Sequence, residues 1–244
     1  MPSSNVTMET ELPALMARHS AAARGFTFHS SRAVLHQVDA ESLRRMVDQA
    51  DRCAGEIADA RVDVVAYACL IAIMAAGAGA HEAAEARLTA SLRASGCAAP
   101  LTSSAGALVR TLQRLGASKV AIVAPYMRPL TRVVVDYLAA YGIEVIDSVS
   151  LEVADNVAVG RLDPAALIDH ARRLQRDGAD AIVLSACVQM PSLDAIAGTE
   201  NELGLRVVSA ATATASEVLS LLGEEPLVPG AGAALATGAA LAAG

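Results

Sequence analysis

VDVVAYAC at residues 62–69 and DAIVLSAC at residues 180–187 decide the fold. Each is a short apolar run that carries an aspartate at its start and closes on Ala-Cys. Runs of this length, rich in Val, Ile and Ala, fit parallel strands buried on both faces. Each is followed by a strand–helix unit, PLTSSAGALVRTLQRLG (100–116) in the first half and VVSAATATASEVLSLLG (207–223) in the second. Upstream, PSSNVTMETELPAL (2–15) and PYMRPLTRVVVDYL (125–138) occupy matching places. These correspondences read as two α/β lobes related by a pseudo-twofold axis. The competing reading is chance similarity between Ala/Val-rich segments.

Further strands are expected at 119–124, 143–146 and 205–209. Helices are expected over 40–60, 130–141 and 164–177, the last entered through Asp163 as N-cap and Pro164 at the first helical position. Alternation of strands and helices predicts an α/β fold: two lobes, each a mainly parallel sheet flanked by helices. The N-terminal lobe spans 1–116, with part of the C-terminal tail. The C-terminal lobe spans 117–244, and the active site is expected in the cleft between them. The repeat leaves a gap. Strand 119–124 runs into Pro125, whereas the matching Pro2 is preceded only by Met1. The first strand of the N-terminal lobe is therefore expected to be missing, with the natural chain beginning several residues earlier.

The 244 residues carry 54% hydrophobic, 18% charged and only 2% aromatic side chains, with no Trp. The core must be built from Ala, Val, Leu and Ile. The net charge of -7, the lack of a Lys/Arg cluster and the scarcity of stacking rings argue against nucleic acid as a partner. The longest uncharged runs, 64–80 and 227–244, are interrupted by glycines or proline and make poor membrane spans. No basic-then-apolar leader is visible, so a cytoplasmic protein is expected. The four cysteines are widely scattered and read as thiols.

Cys69 and Cys187 each follow a buried strand, and ligands of open α/β sheets bind at strand carboxyl ends. If the lobes face each other, the two thiols enter one cleft from opposite sides. One could then attack or deprotonate a planar carbon centre while the other donates a proton. Helices over 70–77 and 188–196 would lower the thiol pKa from its ordinary value. The bland alternative is two small buried hydrophobes. Cys53 and Cys97 lack repeat partners and read as structural. No zinc spacing, Gly-x-Ser-x-Gly elbow, Walker loop or Rossmann fingerprint is present, so neither metal nor organic cofactor is implied.

YACLIAIM (67–74) and SACVQMPSL (185–193) resemble the two cysteine motifs of bacterial maleate cis–trans isomerases, in the aspartate/glutamate racemase superfamily. PSSNVTMETE (2–11), FTFHSSR (26–32), APYMRPLT (124–131) and DNVAVGRLDP (155–164) are similar to other segments of that family, in the same order. The resemblance covers nearly the whole chain. It implies that Cys69 is a nucleophile adding to maleate, giving a succinyl-cysteine-like intermediate, and that Cys187 gives and takes the proton. It implies substrate contacts at Asn5, Tyr126 and Asn156 and at the backbone of Leu70, Ile71, Val188 and Gln189. It also suggests a homodimer. Each contact has a plainer reading: Asn5 as cap of a 7–16 helix, Asn156 as a turn residue, Tyr126 as packing. Two other functions remain open: a two-cysteine amino-acid or hydantoin racemase, and a non-catalytic dicarboxylate-binding protein.

Overall fold

The computed structural model describes residues 1–236; the last eight residues of the expected C-terminal lobe, 237–244, lie outside the described residues. The chain forms α1 (Glu11–Arg18), α2 (Ala40–Asp48), α3 (Ala50–Asp59), β1 (Val65–Tyr67), α4 (Leu70–Met74), α5 (Ala80–Ala94), β2 (Leu101–Ser103) and α6 (Ser104–Arg114). It continues through β3 (Lys119–Ala124), α7 (Arg128–Ala139), β4 (Glu144–Ser150), α8 (Asn156–Val159) and α9 (Ala166–Arg172). It closes with β5 (Ala181–Ser185), α10 (Leu193–Leu203), β6 (Arg206–Ser209) and α11 (Ala210–Leu221). One sheet is wholly parallel, ordered β4-β3-β5-β6. The other pairs β1 with β2, also parallel. The fold is α/β, with parallel sheets flanked by helices, as the alternation of apolar runs predicts.

The repeat has a structural counterpart. Cys69 follows β1 as Cys187 follows β5, and β2–α6 corresponds to β6–α11. Ser103 and Ser209 cap the two helices alike, accepting the backbone N–H groups of Gly106 and Thr212. α6 and α11 pack against each other. Small residues permit that approach: Ala105, Ala107, Ala210, Ala213 and Ala215 are fully buried. Arg110 of α6 bridges Glu85 of α5 and Glu217 of α11. The Ala-rich, ring-poor composition thus becomes close helix–helix contact in the middle of the molecule.

Several expected boundaries shift. The 40–60 helix is two helices broken at Gln49. The Gln49 side chain accepts the Val34 N–H (3.1 Å) and donates to the Arg45 carbonyl (3.0 Å), tethering the break to a neighbouring segment. The 143–146 strand runs on to Ser150, because β4 pairs with β3 along its whole length. The 164–177 helix shortens to α9. No helix begins at 188. Pro191 disfavours a helical conformation in the residue before it, and α10 starts only at Leu193. Among the described residues, no helix is long and apolar enough to cross a membrane.

Because α6 and α11 meet through small side chains, enlarging one should overpack the contact. Ala213→Leu is expected to destabilise the fold by about 1–3 kcal/mol, read as a lower urea midpoint with little change in slope.

Candidate active site

Cys69 stands at the junction of β1 and α4, buried, in an extended conformation (φ -155°, ψ 89°) that turns the chain from strand to helix. The Ala72 N–H donates to its sulfur. Cys187 stands two residues past β5 in a tight turn. Ser185 holds that turn by donating its hydroxyl to the Cys187 carbonyl (2.7 Å). The Gln189 N–H donates to the Cys187 sulfur at 3.3 Å, and the Tyr126 hydroxyl donates to the same sulfur. Tyr126 reaches this point because β3 ends in Pro125 and delivers the ring beside β5.

The two sulfurs are both buried. The Cys187 charge raises the Cys69 thiol, and the Tyr126 hydroxyl senses both. Cysteines separated by more than a hundred residues in the chain are therefore brought near one another and near Tyr126. Burial dominates their chemistry. Desolvation pushes the Cys69 thiol up to about 12, outweighing the Ala72 N–H, and Cys187 adds to the rise. Cys187 is raised too, again by burial, against the pull of Tyr126 and the Gln189 and Met190 N–H groups. The expectation that helix N-termini would lower both thiols is corrected here. α4 is only one turn and a half, no helix follows Cys187 directly, and the loss of water outweighs the N–H groups that remain.

The other expected contacts cluster around Cys187 through the segment 2–7. The Asn5 side chain is fully buried, donating to the Val188 carbonyl (3.2 Å) and accepting the Met8 N–H (3.0 Å). It therefore caps the turn at 7–9 and also touches the Cys187 loop. Asn156 opens α8 and donates to the Ser4 hydroxyl (2.6 Å). Val188 and Gln189 are buried in the turn, and Leu70 and Ile71 are buried at the start of α4. The Gln189 side chain accepts the Val6 N–H (3.0 Å) and donates to the carbonyls of Ser4 (2.9 Å) and Asn156 (2.7 Å). Its amide is thus a three-way staple among the Cys187 loop, the segment 2–7 and α8.

Some contributors escaped the sequence reading. Thr7 donates its hydroxyl to the Gln189 carbonyl. Glu11 is buried and accepts the N–H groups of Ser192 and Leu193 at the start of α10, holding the far end of the Cys187 loop. Arg32 donates to the carbonyls of Ser3 (2.6 Å) and Asn5 (3.0 Å) while pairing with Glu9. The only signal for these was their place inside segments already singled out, PSSNVTMETE and FTFHSSR. Cys97 sits in a small separate apolar cluster with Leu88 and Leu92, and Cys53 lies half-buried on α3. Among the described residues, no group of three or more His, Cys, Asp or Glu side chains converges as metal ligands would.

Residues 2–235 match the family model described as arylmalonate decarboxylase. The chain is 52% identical to a maleate isomerase of Geobacillus stearothermophilus over 237 residues, covering 96% of this chain and 94% of that protein. The crystal structure of a maleate isomerase from Pseudomonas putida superposes with a TM-score of 0.94 at 49% identity, covering 96% of this chain and 95% of that one. A cysteine-to-serine mutant of a Nocardia farcinica maleate cis-trans isomerase, with a covalently bound succinylcysteine intermediate, superposes with a TM-score of 0.93 at 48% identity, covering 96% and 95%.

Gln189→Ala removes all three side-chain bonds of the staple and leaves buried backbone groups unpaired. It is expected to cost about 3 kcal/mol or more of stability, at ~1–3 kcal/mol per orphaned group. Chemical denaturation monitored by circular dichroism checks this. Gln189→Glu should not restore the loss, since a carboxylate cannot donate to the carbonyls of Ser4 and Asn156.

Proposed function

The chain belongs to the maleate isomerases of the arylmalonate decarboxylase family, and from that premise we propose that Cys69 and Cys187 carry a cofactor-independent conversion of maleate to fumarate. The observation that supports it most is a pair of buried sulfurs that follow strands of different sheets, with the charge of Cys187 raising the Cys69 thiol. A single thiol could add to an alkene. A second one is needed to deliver a proton to the neighbouring carbon.

In this reading the Cys69 thiolate attacks one olefinic carbon. The π pair moves onto the adjacent carbon, where the attached carboxylate spreads the charge, and that carbon takes the proton of the Cys187 thiol. The former double bond is now single and rotates. The Cys187 thiolate then removes a proton from the same carbon, the double bond re-forms in the trans arrangement, and the Cys69 sulfur leaves with its electron pair. No electrons are gained or lost overall. The soft sulfur both adds to and departs from an activated alkene.

Tyr126 has a defined part. Its hydroxyl donates to the Cys187 sulfur, which stabilises the thiolate that exists between protonation and deprotonation. Asn5 and Asn156, with the N–H groups of Leu70, Ile71, Val188 and Gln189, are the proposed carboxylate donors. They are neutral donors that can be buried without a counter-charge; Leu70 and Ile71 follow Cys69, and the others lie at the turn that carries Cys187. We further propose that residues 1–116 and 117–244 act as two lobes closing on substrate, that the protein is cytoplasmic, and that it works as a homodimer. Light scattering on the purified chain tests the last.

Proton NMR of the protein with maleate should show the fumarate signal growing without added cofactor. Cys69→Ser is expected to lower kcat by roughly a thousandfold or more, with maleate still bound. Cys187→Ser should form the adduct and stall. Intact-mass measurement would find the protein heavier by one maleic acid, a shift absent from Cys69→Ser. Equal and complete activity in both variants would end this reading.

The pH dependence follows from burial. The free protein holds Cys69 as the neutral thiol at neutral pH, because its pKa is pushed up to about 12. The nucleophilic form therefore grows as pH rises. We expect log kcat/KM to climb with a slope near one between about pH 7 and about pH 9. A plateau already at neutral pH would mean that the pocket lowers the thiol instead.

A further inference from the structure

Glu11 is a buried carboxylate, and burying a carboxylate is costly unless its oxygens are satisfied. The groups that satisfy it lie 181 and 182 residues away in the chain. Its Oε1 accepts the N–H groups of Ser192 and Leu193, the second at 2.7 Å. Its Oε2 accepts the Ser192 hydroxyl at 3.4 Å. These N–H groups open α10, and a helix start offers free donors and favours negative charge. Helices commonly supply their own cap, and Ser192 occupies the capping position. Its side chain nevertheless caps nothing in α10. The cap comes instead from α1.

Only Val188, Gln189, Met190 and Pro191 stand between that clamp and Cys187. The Cys187 sulfur accepts the N–H groups of Gln189 (3.3 Å) and Met190. Pro191 joins Met190 to Ser192, and its ring fixes one of the two backbone angles between them. A shift at Ser192 therefore passes to the Met190 peptide with little room to be absorbed. Thr7, one turn ahead of Glu11 in the chain, donates to the Gln189 carbonyl. The near end of the loop is tied within its own sheet, where the Ser185 hydroxyl bonds the carbonyls of Cys187 (2.7 Å) and Met190 (3.3 Å). The far end has Glu11.

We propose that Glu11 is a positioning residue for the Cys187 thiol: by clamping the start of α10 to α1, it fixes the Gln189 and Met190 N–H groups that hold that sulfur. The inference rests on the assignment of Cys187 to proton transfer. Glu11 acts through the loop and moves no proton itself. Its leverage is geometric, since displacing a reacting group by about 1 Å can cost about a hundredfold in rate. A carboxylate suits the task because one of its oxygens accepts two N–H groups while the other takes a hydroxyl. An amide is a weaker acceptor and places an NH2 group where the carboxylate has an oxygen.

The test compares Glu11→Gln with the wild type and with Ala213→Leu, a control for lost stability at the contact of α6 and α11. Glu11→Gln is expected to lower kcat for maleate by about tenfold or more. Ala213→Leu should keep the wild-type kcat at temperatures where it is folded. Brief treatment with iodoacetamide, followed by peptide mapping, reads the two sulfurs separately. Relative to Cys69, Cys187 should be alkylated roughly fivefold faster in Glu11→Gln than in the wild type, because the loop that buries it opens more often. Should Glu11→Gln fail to fold, Glu11→Asp keeps the charge, reaches one methylene less far and should move both readouts in the same direction. An alkylation ratio equal to that of the Ala213→Leu control would overturn the proposal, whatever the loss of kcat. So would an unchanged kcat. The alkylation ratio needs no substrate. A wild type that leaves maleate unchanged would sink the isomerase reading, and the ratio would still decide the part of Glu11.

Discussion

The exclusion of water from two sulfurs is the constraint on which the rest of this structure turns. Cys69 and Cys187 follow strands of different sheets, and burial raises both thiols and favours their neutral form. A dry pocket opposes charge, yet the proposed substrate carries two carboxylates. The two demands are compatible only because the surrounding donors are dipoles: backbone N–H groups, amide side chains and one phenol. Such groups can be buried at modest cost when satisfied, and they strengthen as water leaves. A pocket lined with Lys or Arg would bind a dicarboxylate more tightly. It would also hold the Cys69 thiolate in a stable ion pair and blunt its attack on carbon.

Holding dipoles in place requires a scaffold, and here it comes from the first dozen residues. Asn5, Val6, Thr7 and Glu11 together take up the carbonyl of Val188, the side chain and carbonyl of Gln189, and the first N–H groups of α10. The Cys187 turn is thus fixed from outside its own sheet. Arg32 in turn fixes the Ser3–Asn5 bend. These bonds join segments about 180 residues apart, so the Cys187 turn takes this form only when both ends of the chain have folded together.

The sequence made the strands legible and left the staple hidden, for a physical reason. β3 matches its expected limits, since five apolar residues after Lys119 are cut off by proline. The cysteines were legible because a repeat places them at equivalent strand ends. Gln189 was singled out for its backbone, whereas its side chain carries the greater structural load. Its partners are carbonyls and an N–H that any residue possesses, and nothing in their side chains announces the contact. Glu11 was passed over likewise, because its partners are backbone donors exposed by the start of a helix. The helix expected from 188 failed on a local rule: Met190 precedes a proline, and that steric restriction outweighed an apolar pattern that would otherwise suit a helix.

The pseudo-twofold relation invites the idea that the two thiols are interchangeable, and the surroundings argue otherwise. Cys187 is backed by a strand buried on both faces and receives hydrogen bonds from Tyr126, Gln189 and Met190. Cys69 is backed by a half-buried strand beside a cavity and receives one, from Ala72. A group that passes a proton back and forth to one carbon benefits from a fixed position and a stabilised anion. A nucleophile that must follow a carbon through addition, bond rotation and departure benefits from weaker tethering and from an anion left reactive. The asymmetry of hydrogen bonding therefore supports the proposed roles, in which the well-held sulfur moves the proton and the loosely held one forms the bond to carbon.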